Sequence, residues 1–325
     1  METSNMTNLT VSFDWEKQFI LEKAEENVWY IASGTIAMAS ALAVLAIICS
    51  DKRLKETYLL FGGLAVGDIC NGLAFLVGGF VRRYQLLHIV KTNRAHFGIF
   101  NVPVRSCLFQ VYPLLFILGA ELPSAISAAI AVQRFLAIKF HVWYYKNWGQ
   151  KQSIATLAIS VIVVCINVLV VAGEMVFSGR TITVLPVCYN HDAWPTWFTA
   201  YNRWLVVLGD ISYAVLTVCT CISFLIHRSN ITSAGLLDQG RYTASFATIV
   251  VVHLAFVTVP NILYTAIQFV KITMNVTVVN ILFCADSGIR LFIYIVYLPD
   301  FRRRFEIKSA TTTKVSSIKL KETVH

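Results

Sequence analysis

The chain has 325 residues, of which 57% are hydrophobic and only 14% charged, with a mean hydropathy of +0.65 and a formal net charge of +9. That apolar content exceeds what one soluble core needs, and it is the composition of a membrane protein. The basic balance does not argue for nucleic acid as a partner, because Lys and Arg border the hydrophobic runs, where anionic membrane lipid attracts them.

An N-terminal segment, residues 1–27, carries the sequons Asn5-Met6-Thr7 and Asn8-Leu9-Thr10, which make Asn5 and Asn8 candidate glycosylation sites on an extracellular arm. Seven apolar stretches follow, at roughly 28–49, 57–80, 107–131, 153–177, 204–226, 244–270 and 277–298, each long enough to cross a bilayer core as a helix. A barrel strand would be about ten residues of alternating polarity, so an all-α bundle is predicted. Glu121 and Asp210 interrupt the third and fifth stretches.

Asp14, Glu16, Glu22, Glu25 and Glu26 precede the first span and Lys52-Arg53-Leu54-Lys55 follows it, which favours an N-terminus outside; with the basic C-terminal tail inside, an odd number of crossings is required. No basic leader with a cleavage site is visible, so the first helix is expected to act as its own signal. After the seventh span, Phe301 and Phe305 share a face among Arg302, Arg303 and Arg304, as a short helix lying on the membrane surface requires. The predicted organisation is an extracellular arm over 1–27, a seven-helix unit with its juxtamembrane helix over 28–307, and a disordered, Ser/Thr-rich cytoplasmic tail over 308–325.

Six of the eight cysteines fall within spans and read as small packing residues. Cys107, at the outer end of the third span, and Cys188, in the second outer loop, both face an oxidising compartment, where a disulfide would tie the loop over the bundle mouth. The basic loop between spans two and three, with Arg82, Arg83, Lys91, Arg94 and Arg105, reads as interfacial snorkelling or as attraction for an anionic ligand.

Seven helices with this orientation, the outer cysteine pair, Leu64-Ala65-Val66-Gly67-Asp68 in span two, Val132-Gln133-Arg134-Phe135-Leu136-Ala137-Ile138 at the inner end of span three, Pro260 in span six, and Tyr294 followed by Pro299-Asp300-Phe301-Arg302 form an ordered set. Over about residues 28–307 this set resembles the rhodopsin-like G-protein-coupled receptors, and its degenerate forms are most similar to the nematode serpentine chemoreceptors. The resemblance implies a small-molecule ligand in the outer half of the bundle, a heterotrimeric G protein at the inner face, and residence in the plasma membrane, including that of a sensory cilium. Arg134, Gln133 and Tyr294 would then serve coupling and switching, and Phe116, Glu121, Asp210 and Thr258 become candidates to line the ligand pocket. Phe116 stands where aminergic receptors carry an Asp and Cys284 where opsins carry a Lys, which disfavours a biogenic amine and a Schiff-base chromophore.

The departures from the family pattern matter as much. Its acid-Arg-aromatic triplet reads Gln133-Arg134-Phe135, so raised ligand-free signalling is expected. Thr258 replaces the aromatic switch before Pro260, and only Tyr294 survives of the helix-seven motif. Cys107 lies two residues farther from Arg134 than is usual, which a bulge near Pro113 or Pro123 could absorb. In the family, the acid at the Asp68 position and an Asn at the Arg290 position line a cavity that can hold sodium. Here a guanidinium stands at that position, so Arg290 is predicted to replace the ion, pairing with Asp68 across the bundle and with Asp286 four residues away on its own helix. Glu121, Asp210 and His253 could line a ligand cavity or a switch, because charges within spans usually face the bundle interior.

No Gly-x-Ser-x-Gly, His-Glu-x-x-His, phosphate-binding glycine loop or metal-ligand cluster is found, so no catalysis, cofactor or metal is expected. A seven-helix ligand-gated channel, which would have its N-terminus inside, and a transporter, which should show inverted repeats, are the alternatives.

Overall fold

The computed structural model describes residues 3–92, 102–177, 183–184, 187–189, 193–227, 244, 247–260, 262–263, 276–298 and 300–304, with side chains from residue 17. Helices α1 (Thr3–Cys49), α2 (Lys52–Thr57), α3 (Leu59–Lys91), α4 (Tyr112–Lys139), α5 (His141–Asn147), α6 (Gln150–Phe177) and α7 (Thr196–His227) are followed by α8 (Ala247–Thr258), α9 (Val276–Tyr297) and a short α10 at 300–304. Among the described residues six helices, α1, α3, α4, α6, α7 and α9, are long and apolar enough to cross a membrane, which makes this a multi-pass, all-α membrane protein. The shorter apolar α8 lies in the sixth predicted stretch, and residues 264–270 of that stretch lie outside the description. So do Phe305, the tail and Arg94, and the asparagines of two further sequons, Asn230-Ile231-Thr232 and Asn275-Val276-Thr277.

Several boundaries differ from the sequence expectation: α4 continues to Lys139 and α7 begins at Thr196, each eight residues beyond its predicted stretch, and three others stand out. Helix α1 extends through most of the arm; its 47 residues span about 70 Å at the α-helical rise, more than twice a hydrocarbon core of about 30 Å. Helix α3 runs to Lys91 rather than ending near residue 80, because Arg82, Arg83 and Lys91 lower hydropathy while remaining good helix formers. The third span begins at Tyr112, not at 107. Cys107 sits instead in a 3-10 turn, Val104–Gln110, and the chain breaks at Val111, whose φ of 59° lies in the left-handed region that β-branched residues avoid. The offset of Cys107 is therefore taken up ahead of Pro113, while Pro123 stays within α4.

Helix α1 packs on α3 and α9, α3 on α4, and α4 on α6 and α7, leaving α4 in the middle. Small residues permit the closest approaches, as expected where lipid gives helices no hydrophobic reason to associate. A Cβ added at Gly72 would lie 2.7 Å from the Met38 backbone nitrogen of α1, and one at Gly67 would meet Pro123 of α4 at 2.8 Å. Helix α6 buries few residues and turns Ile, Val and Leu outward, the surface a lipid-facing helix presents.

Two apolar cores stack along the bundle. One, toward the C-terminal end of α9, gathers Tyr58, Phe61, Leu64, Ile126, Tyr294 and Phe301, and the other, at the disulfide end, Phe75, Cys107, Tyr112, Phe116, Cys188 and Cys284; they are called the inner and the outer core after the orientation expected from the sequence. Asp68 on α3 and Asp286 and Arg290 on α9 fall between the two. The outer core is capped by two short strands, Val102–Pro103 (β1) and Thr183–Val184 (β2), paired antiparallel, and by the Cys107–Cys188 disulfide, with Cα atoms 5.6 Å apart.

Candidate functional site

Five ionisable side chains meet between the cores, and each is at most 4% exposed: Asp68 of α3, Asp210 of α7, His253 of α8, and Asp286 and Arg290 of α9. They form a ladder of touching groups. Arg290 Nη1 donates to both carboxylate oxygens of Asp68, at 2.9 and 3.0 Å, and Arg290 Nη2 donates to Asp286 Oδ2 on its own helix. Asp286 Oδ2 also lies 2.8 Å from His253 Nδ1, and His253 Nε2 lies 3.0 Å from Asp210 Oδ1. This last separation is an ion-pair distance, but the ring nitrogen does not point well enough at the oxygen for a hydrogen bond. Ser287 donates to Asp68 at 2.9 Å, and Ser124 and Thr258 each donate to Asp210 at 3.0 Å.

The local folding of two helices makes this arrangement possible. On α9, Asp286 and Arg290 are one turn apart and share a face. On α8, residues Leu254–Thr258 form a π-turn, in which the Val259 N–H donates to the Leu254 carbonyl five residues back. Residues five apart on an α-helix point about 140° away from each other. The wider turn swings His253 and Thr258 onto the same carboxylate, that of Asp210, and such single π-turns are often found at functional positions.

The predicted grouping of Asp68, Asp286 and Arg290 is thus present, and the pocket candidates Asp210 and Thr258 are in contact with it through His253 and each other. Glu121 does not join. Its carboxylate accepts from Asn167 Nδ2 of α6 at 2.7 Å and from Asn202 Nδ2 of α7 at 2.8 Å, forming a second polar knot linking α4, α6 and α7. Phe116 faces the outer core, edge-on to Phe75 at 4.6 Å.

Arg82 departs from the loop reading. It is 4% exposed, its guanidinium lying 4.8 Å from the Tyr112 ring, 5.0 Å from Tyr189 and 5.6 Å from Phe116, so it is caged by aromatic faces beneath the disulfide. Burial pushes the Tyr189 phenol up to about 12, with Arg82 pulling the other way. Arg83, Lys91 and Arg105 are exposed.

At the inner end, Gln133 Nε2 donates to the Tyr144 hydroxyl of α5 at 2.9 Å, a partner no spacing rule indicated. Arg134 lies half-buried beside it. Tyr294 is buried between Phe61 at 5.3 Å and Phe301 at 5.5 Å, and Phe301 also meets Tyr58 at 5.6 Å. The Tyr58 hydroxyl donates to Asp300 Oδ2 at 3.1 Å, and Arg304 reaches Asp51, so α10 is fastened to the base of α3 and to the α1–α2 turn. Phe301 is fully buried while Arg302 and Arg303 are exposed, which gives α10 two faces of opposite character.

Asn5 and Asn8 fall on the α1 backbone, with side chains outside the description. Among the described residues no three His, Cys, Asp or Glu side chains group to hold a metal ion. No protein-family model and no curated protein matches the chain.

Proposed function

We propose that the chain is a seven-span receptor of the rhodopsin-like kind, with its N-terminus outside, that binds a small molecule in the outer half of the bundle and signals to a heterotrimeric G protein within. On this reading it is chemosensory, resides in the plasma membrane, and carries out no catalytic step. The observation that carries it is the buried ladder. One continuous set of charges joins α3, α7, α8 and α9, so a ligand wedged among the outer ends of these helices would act on contacts that also set their inner ends. Such a ligand shifts a population only by as much as it prefers one arrangement of those contacts.

Other features fit the same reading. The disulfide and the Tyr112 hydroxyl, which donates to the Val187 carbonyl, hold an outer cap over the bundle. Gln133 and Arg134 sit on the rim where a cytoplasmic partner would dock.

The test is expression in a reporter cell challenged with a panel of volatile and water-soluble attractants, reading cyclic nucleotide and calcium. A dose-dependent response that disappears in Arg134→Ala is the expected result. A response that survives Arg134→Ala, or an ionic current in place of second messenger, would overturn it.

A further inference from the structure

We infer that His253 is a proton-binding site whose doubly protonated ring bridges Asp210 on α7 to Asp286 on α9. A neutral imidazole has one N–H and one lone pair. Here both ring nitrogens lie against carboxylate oxygens, Nδ1 at 2.8 Å from Asp286 and Nε2 at 3.0 Å from Asp210. An unprotonated Nδ1 would aim its lone pair at an anionic oxygen, and an unprotonated Nε2 would leave the Asp210 carboxylate 3.0 Å from a ring with no charge to meet it, in a site with almost no exposure to solvent. One competing arrangement has an unprotonated Nδ1 accept from Arg290 Nη2, which lies 3.1 Å away. Asp286 Oδ2 is nearer to Nδ1 than that, and already receives the same guanidinium nitrogen, so the competing arrangement leaves the closest contact repulsive.

Charge points the same way. Facing the imidazole or its neighbours are Asp210 and Tyr213 from α7, Asp286, Arg290 and Tyr294 from α9, and Asp68 from α3, the Tyr213 ring standing edge-on at 6.2 Å. Three carboxylates against one guanidinium leave a surplus of two negative charges, and a proton on His253 halves it. The hydroxyls of Ser287, Ser124 and Thr258 donate to the carboxylates and disperse what remains. The ladder then alternates in sign from Asp68 through Arg290, Asp286 and His253 to Asp210. Loss of the proton removes the positive rung between α7 and α9, and the proton behaves as a ligand that favours the joined bundle.

This inference rests on the ladder alone and is independent of whether the chain couples to a G protein. The test uses the full chain in lipid nanodiscs, with His253 as its only histidine and that ring labelled with nitrogen-15. Two protonated ring nitrogens at about neutral pH are expected; the split signals of a neutral tautomer would overturn the assignment. In parallel, the wild-type melting temperature should fall as the pH is raised from about 6 to about 9, and His253→Gln should lose most of that dependence. An unchanged pH profile in His253→Gln would also sink the proposal. Should that variant not fold, the spectrum of the protein retaining His253 decides by itself.

Discussion

Arg290 Nη1 sits almost evenly between the two carboxylate oxygens of Asp68, at 2.9 and 3.0 Å, so a single nitrogen of α9 holds a carboxylate of α3 across the bundle. Where a smaller side chain would leave room for a mobile cation, the chain supplies a tethered one, and its charge cannot diffuse away.

Arg290→Ala is therefore expected to be far more damaging than its surface equivalent, leaving Asp68 and Asp286 without their shared cation. Breaking a buried pair by removing one partner costs about 3–5 kcal/mol. Surface expression and thermal stability should both collapse, and Asp68→Asn in the same background should restore part of the loss. Full expression and normal melting of Arg290→Ala would show that the pair contributes nothing.

At the outer cap, Cys107→Ala, Cys188→Ala and the double variant should be indistinguishable, because each removes the same bond. All three should melt lower than wild type, and reductant should lower wild type to their level. Additive losses in the double variant would mean that the two sulfurs act separately.

The cap should also respond to alkali. The Tyr189 phenol is raised from an ordinary 10 to about 12, so burial favours its neutral form, and its contribution is intact below about pH 10 and lost as the pH climbs through about 12. Tyr189→Phe keeps the aromatic face over Arg82 and should flatten stability across that window. A wild-type profile already flat there would contradict this assignment.

Phe301→Ala should detach α10, since its ring packs on both Tyr58 and Tyr294. Truncating a buried Phe costs about 3–5 kcal/mol. Tyr58→Phe keeps the packing and removes the hydrogen bond to Asp300, for about 0.5–1.5 kcal/mol. Melting temperatures that rank the two variants the other way would show that the hydroxyl, not the ring, fastens α10.

For the proposed receptor activity, Gln133→Glu should lower ligand-free signalling by placing a carboxylate beside Arg134. Gln133 is held by Tyr144, so Tyr144→Phe should alter the same basal signal. Unchanged basal output in Gln133→Glu would contradict the expectation.

The charges that build the ladder were legible in the sequence because an Asp or Arg inside an apolar run has few places to go but toward another charge. Their order was not. The contact of His253 and Thr258 with one carboxylate depends on a π-turn, and helical periodicity places those two side chains on different faces. Arg82 looked like a loop residue because hydropathy falls before the helix ends, and helix propensity does not fall with it. The break at Val111 and the Gln133–Tyr144 bond arise from tertiary fit, to which spacing along the chain is blind. Glu121 showed itself as a buried acid, but its two amide partners come from helices 46 and 81 residues away.

A π-turn is an α-helix carrying one surplus residue, and in α8 the surplus lies between His253 and Pro260. Were it to relax into regular α-helix, everything beyond it would rotate by about 100° relative to what precedes it. Thr258 and His253 would no longer share Asp210, and the two ends of α8 would turn like the halves of a ratchet. The contact of both side chains with one carboxylate is thus written in the backbone of α8, not in the spacing of its side chains.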